Sequence, residues 1–253
     1  MRPRRIAGLL AAVLTFTGGV AAWTGEVPCW TSGGTRMVLP TVLATAPDTR
    51  IVLPSSGTIL FVGDSNTAGS RVGGIANAYP AVFRDGLSTG QQVKVHAFGG
   101  ATTADLLARP LPDGPVDLAF VMLGTNDAAP RGWMSSKHPL SLRTYRANLL
   151  ALIGRLGQKH ARIVVLAPPP LGSSAMARRL DPYRVAARDV ARETASQFRD
   201  TAAAFVSEPG ADFLQRDAVH LTQEAQHELG LWLFAQTTET YEADNSATSK
   251  AAR

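Results

Sequence analysis

Thr58-Ile59-Leu60-Phe61-Val62-Gly63-Asp64-Ser65-Asn66-Thr67 is the stretch that decides the fold. Thr58–Gly63 reads as a strand: an unbroken apolar run that stops at a glycine. It shows no alternation of apolar and polar residues. A strand of that kind is buried on both faces, as in a parallel sheet covered by helices. Asp64-Ser65 then falls where strand gives way to helix.

The same pattern repeats outward along the chain. Gln92–Ala97 reads as a second strand, and Val116–Leu123, between Pro115 and Gly124, as a third. Ile163–Ala167 reads as a fourth, stopped by Pro168-Pro169-Pro170, and Ala202–Val206 as a weaker fifth. Helices are predicted over Ala78–Leu87, Leu142–His160, Pro182–Phe198 and Thr222–Gln236. In the second of these, Tyr145, Leu149, Leu152, Ile153 and Leu156 recur on one face at helical spacing. Strands alternating with helices predict an α/β domain with a central, mostly parallel five-stranded sheet.

The chain has 253 residues, 45% of them hydrophobic and 18% charged, which suits a globular protein with a sizeable core. The formal charge is +5, but Arg2, Arg4 and Arg5 supply most of the excess. The body has no basic run interleaved with aromatics, so nucleic acid is not an expected partner. Residues 1–22 read as an export signal: a basic start, an uncharged apolar stretch, and Val20-Ala21-Ala22 as small residues at a cleavage point. A secreted or periplasmic protein is expected. The alternative is an uncleaved N-terminal membrane anchor. Residues 23–56 read as a linker, 57–238 as the domain, and 239–253 as a disordered tail. Cys29 is the sole cysteine, so no intrachain disulfide is possible, and it is given no role.

Parallel sheets place their sites in loops at the carboxyl ends of the strands. Four such loops carry suggestive residues: Gly63-Asp64-Ser65, Gly99-Gly100, Gly124-Thr125-Asn126-Asp127, and the segment from Asp217 to His220. Ester hydrolysis by a serine needs a nucleophile, a base and donors for the oxyanion. Ser65 fits the nucleophile, although helix capping alone would also explain a serine there. His220 fits the base, and Asp217, three residues earlier, can bend back to its Nδ1 and fix the tautomer. Asn126 offers a side-chain NH2, and Gly100 and Ser65 offer backbone N–H groups. No metal-ligand cluster is visible.

Together these four segments resemble the SGNH hydrolases, also called the GDSL esterase/lipase family. The matching blocks are Gly63-Asp64-Ser65, Gly100-Ala101-Thr102-Thr103, Gly124-Thr125-Asn126-Asp127, and Asp217-Ala218-Val219-His220-Leu221-Thr222. The resemblance runs from about Ile59 to Phe234 in the family's order. It implies a flavodoxin-like three-layer α/β/α sandwich. It also implies Ser65 as nucleophile, Gly100 and Asn126 as oxyanion donors, His220 as base, Asp217 as its orienter, and no metal or organic cofactor. Two departures stand out. Asn66 replaces the leucine of the nominal GDSL motif. Val95-His96-Ala97-Phe98-Gly99 lacks the asparagine that many relatives carry five residues before the oxyanion glycine, which puts the bracing of that loop in question.

The expected activity is carboxylic ester hydrolysis through an acyl-Ser65 intermediate, on an acyl lipid, a simple ester or an acetylated carbohydrate. Transfer of the acyl group to a cell-envelope glycan, or thioester hydrolysis, would use the same residues. Trp133 and Met134 are candidates for a substrate-binding wall. Arg184, Arg188 and Arg192 recur every four residues near Asp189 and Glu193, which predicts a salt-laced solvent face. Oligomeric state is not legible.

Overall fold

The computed structural model describes residues 28–30, 36–38, 43, 49–129, 138–205 and 212–239. The expected export segment, the residues beyond 239, and Trp133 and Met134 lie outside them.

Five strands form the central sheet: β4 (Gly57–Gly63), β5 (Gln91–Ala97), β6 (Leu118–Met122), β7 (Arg162–Ala167) and β8 (Gln197–Asp200). Their order is β5-β4-β6-β7-β8, and all neighbours pair in parallel. This is the doubly wound flavodoxin-like order, whose direction of winding reverses between β4 and β6. Two short pairs lie outside it. β1 (Pro28–Trp30) and β2 (Arg36–Val38) are antiparallel, while β3 (Ile51–Leu53) runs parallel to β9 (Thr237–Glu239).

Side chains of β4 alternate between two cores. Ile59 and Phe61 face α2 (Tyr79–Asp85) and α7 (Gln223–Ala235), where Phe83, Leu229 and Leu233 are buried. Leu60 and Val62 face α3 (Thr103–Leu107), α5 (Leu142–Gly157) and α6 (Ser174–Glu193), with Leu106, Leu149, Leu152 and Val190. Burial on both faces is why the strand reads as one apolar run. The result is a three-layer α/β/α sandwich. Among the described residues no helix is long and apolar enough to cross a membrane.

Three expectations need correction. The fifth strand is Gln197–Asp200, not Ala202–Val206; residues Thr201–Phe205 form a 3₁₀ turn instead. The real strand is polar, because Asp200 is satisfied by Arg184 and Arg199 donates to the Phe198 and Thr49 carbonyls. The alanine run owes its apolar character to packing in the turn. The helix expected at Pro182–Phe198 is α6, Ser174–Glu193, with Pro182 inside it. Ser173 starts it early by accepting from Met176 N, and Leu180 anchors that first half against Ala128 and Leu171. The turn that loses a bond to Pro182 is at exposed Arg178-Arg179. Finally, Arg184 is not on a solvent face. It is 2% exposed and pairs with buried Asp200 at 2.6 Å. Arg188 and Arg192 do meet Asp189 near the surface.

The α2–α7 contact is close enough to give a stability prediction. A Cβ on Gly230 would stand 2.5 Å from Val82 Cβ and 2.9 Å from Tyr79 O. Gly230→Ala is therefore expected to destabilise by about 1–3 kcal/mol through overpacking, despite the better helix propensity of alanine. Urea unfolding of the variant checks this.

Candidate active site

The site begins with the turn after β4. A Cβ on Gly63 would meet Thr67 Oγ1 at 2.0 Å and Met122 O at 3.1 Å, so only glycine allows so tight a turn against β6. Asp64, 2% exposed, is the N-cap of α1 (Ser65–Ala68) and accepts from Asn66 N at 3.0 Å. Capping is thus done by Asp64. Ser65 sits one residue further on, and its hydroxyl is left for another partner.

That partner is His220, whose Nε2 lies 3.0 Å from Ser65 Oγ. His220 Nδ1 lies 2.7 Å from Asp217 Oδ2. With its proton on Nδ1, the ring donates to the carboxylate and presents the Nε2 lone pair to the Ser65 hydroxyl. Asp217 also organises its own loop: its Oδ1 accepts from Val219 N and His220 N, each at 3.0 Å. Ala218, between Asp217 and Val219, takes a left-handed φ of 59°. Burial alone would raise the Asp217 pKa. The backbone and side-chain bonds from His220 and the Val219 N–H outweigh it and hold the carboxyl below its usual range. The His220 and Asp217 side chains are 18% and 35% exposed, so a substrate can reach the relay from solvent.

The other two loops come from neighbouring strands. Gly100, after β5, has φ 76°, a left-handed conformation that favours glycine. Asn126 lies in α4 (Thr125–Ala128), directly after β6. Its Nδ2 donates to Ala101 O at 2.9 Å and is 3.4 Å from Asp64 Oδ2. One carboxamide therefore links the loops after β4, β5 and β6, across the reversal in strand order where such folds bind ligands.

Thr102, Thr103 and Asp127 lie inside the matching blocks, but the sequence shows no role for them. Asp127 is fully buried and its carboxylate accepts from Thr103 N, at 3.1 and 3.2 Å, and from Thr103 Oγ1 at 2.5 Å. Asn148 of α5 adds a bond to Thr103 Oγ1 at 3.1 Å. Thr102 and Asp105 close a capping box at the start of α3. The Gly100 loop is thus braced to the Asn126 loop through Thr103 and Asp127, without the asparagine that many relatives carry. Beside the site, Ala128, Leu171 and Leu180 are buried, with Met176, Tyr183 and Val219 packed on them. This apolar cluster adjoins both Asn126 and His220. Among the described residues, no group of three or more His, Cys, Asp or Glu could hold a metal ion.

Residues 61–227 match the model of the GDSL-like lipase/acylhydrolase family. The chain belongs to that family. This acylhydrolase is an enzyme of the esterase and lipase class. It is similar to an acetylxylan esterase of Geobacillus stearothermophilus, with 27% identity and a TM-score of 0.61 over 72% of this chain and 94% of that one. Alanine variants of a serine and of an aspartate in that esterase are catalytic mutants. The fold is also similar to that of a lipase/acylhydrolase from Enterococcus faecalis, with 24% identity and a TM-score of 0.58 over 71% and 94% of the two chains. No curated protein sequence matches the acylhydrolase significantly.

Proposed function

We propose that this acylhydrolase cleaves short-chain carboxylic esters, acetyl esters of carbohydrates foremost, through an acyl-Ser65 intermediate. The observation that carries the proposal is the unbroken relay from Ser65 Oγ to His220 Nε2 at 3.0 Å and from His220 Nδ1 to Asp217 at 2.7 Å. Ser65 Oγ attacks the ester carbonyl carbon while its proton passes to His220 Nε2. The carbonyl oxygen becomes an oxyanion and takes bonds from the Ser65 and Gly100 N–H groups and from Asn126 Nδ2. Asn126 makes this bond with the hydrogen now aimed at Asp64 Oδ2, whose 3.4 Å contact is longer than the 2.9 Å bond to Ala101 O. Collapse breaks the bond to the alcohol, which leaves with the proton from His220. Water then attacks the acyl group, His220 takes the water's proton, and the acid departs as Ser65 recovers that proton.

The acetyl preference rests on the likeness to the acetylxylan esterase. A panel of p-nitrophenyl esters from acetyl to palmitoyl, run beside acetylated xylan, tests it. The highest kcat/KM is expected for acetyl, with acetate released from the xylan. Highest kcat/KM for palmitoyl, with no release of acetate, would overturn the acetyl reading.

A further inference from the structure

Asn66, the residue after the proposed nucleophile, is tied to both sides of His220. Its Oδ1 accepts from Leu221 N at 3.0 Å, and its Nδ2 donates to Val219 O at 3.4 Å. Val219 and Leu221 are the residues on either side of His220. The orientation of the carboxamide is fixed by chemistry: the Leu221 N–H can only donate, so the atom facing it is the oxygen. Asn66 is 2% exposed and Leu221 is fully buried, so water cannot readily replace these bonds.

The anchor of this clamp is itself held. Gln226 of α7, 1% exposed, donates from Nε2 to Asn66 O at 2.9 Å and accepts from Tyr79 N at 2.9 Å. Thr67 Oγ1 and Tyr79 OH are 3.1 Å apart. The segment bearing Ser65 is therefore fixed to α2 and α7, and the Asn66 side chain reaches from it to the peptides that carry His220. The Asx turn made by Asp217 acts differently. It sets the loop's internal shape, but it does not tie the loop to Ser65. A leucine at position 66 would have no polar atom for either bond.

We propose that Asn66 is a positioning residue that sets the Ser65–His220 distance. This role rests on the reading of Ser65 as nucleophile and His220 as base. Proton transfer from Ser65 needs the imidazole within hydrogen-bond reach, and a displacement of about 1 Å costs on the order of 10²-fold in rate. The Asn66 side chain bonds to Val219 O and Leu221 N, and not to Ser65 Oγ or the His220 ring, so its effect is expected on kcat and not on KM.

The test uses wild type, Asn66→Leu and Asn66→Asp with p-nitrophenyl acetate, each preparation titrated for competent sites with a fluorophosphonate. In Asn66→Leu, kcat per titrated site is expected to fall about 10- to 10²-fold, with KM within about twofold of wild type. Asn66→Asp keeps an oxygen for the Leu221 N–H, and in so buried a site the carboxyl is expected to be neutral, so that its O–H can still donate to Val219 O. This variant is expected to recover kcat to within about fivefold of wild type. Titration separates positioning from folding, because unfolded protein lowers the number of sites and not the rate at each. An unchanged kcat per site in Asn66→Leu would overturn the proposal. So would an Asn66→Asp variant as slow as Asn66→Leu, or a loss confined to site number. Failure of the fluorophosphonate to label wild-type Ser65 would strike the nucleophile reading instead.

Discussion

The Ser65→Ala variant is expected to lose about 10⁶-fold in kcat, since removing the nucleophile of such a relay costs about as much as removing the whole relay. The loss is chemical and not structural. The cap of α1 is Asp64, which the change leaves in place. The hydroxyl has its bond with His220, on a side chain that is partly exposed and open to water. The variant is therefore expected to unfold at a urea concentration close to that of wild type. Residual turnover should come from the oxyanion donors and from binding alone, about 10³–10⁴ above the uncatalysed rate. Steady-state kinetics on p-nitrophenyl acetate beside urea unfolding gives both readings. Retention of more than a few per cent of wild-type kcat would remove Ser65 from the chemistry.

The second large effect is expected at Asp217. Asp217→Asn should lower kcat by about 10⁴-fold. Asn keeps an oxygen that can accept from Val219 N and His220 N, so the loop retains its turn. What changes is the atom facing His220 Nδ1. An NH2 group there donates to Nδ1, moves the ring proton to Nε2, and leaves no lone pair for the Ser65 hydroxyl. The substitution also carries a pH signature. The Asp217 carboxyl is held below its usual range in the folded protein. A lowered carboxylate pKa contributes stability that is fully present above the unfolded value, near 4, and is lost as pH falls through the folded value. Wild type should therefore exceed Asp217→Asn in stability by more at pH 7 than at pH 3. Urea titrations at both pH values measure the difference. A gap that is constant or widens on acidification would contradict the charge-stabilised carboxylate.

The parts of the fold visible in the sequence are those made by burial on two faces. Ile59–Val62 and Leu118–Met122 could be read because each side of the strand meets a helix layer. β8 could not be read in that way. Its Arg199 and Asp200 are nearly buried yet charged, and they bond to Thr49 and Arg184, which lie outside the strand at 150 and 16 positions' distance. The start of α6 was hidden because Pro182 resembles a helix beginning, while the true signal was the modest cap at Ser173. The candidate site divides along the same line. Ser65, Asn126, Gly100, Asp217 and His220 stand in short motifs at strand ends, where local spacing carries information. Asn66, Thr103 and Gln226 act through contacts between distant segments. The Asn66–Leu221 bond spans 155 positions, which no local pattern encodes.

The central claim is that Ser65 is a nucleophile activated by His220. Labelling the folded wild-type protein with a fluorophosphonate, followed by intact mass measurement and peptide mapping, tests it most directly. One adduct per chain is expected, on the peptide containing Ser65, absent from Ser65→Ala and formed far more slowly in Asp217→Asn. An adduct on another residue, or none on a preparation that hydrolyses p-nitrophenyl acetate, would contradict it.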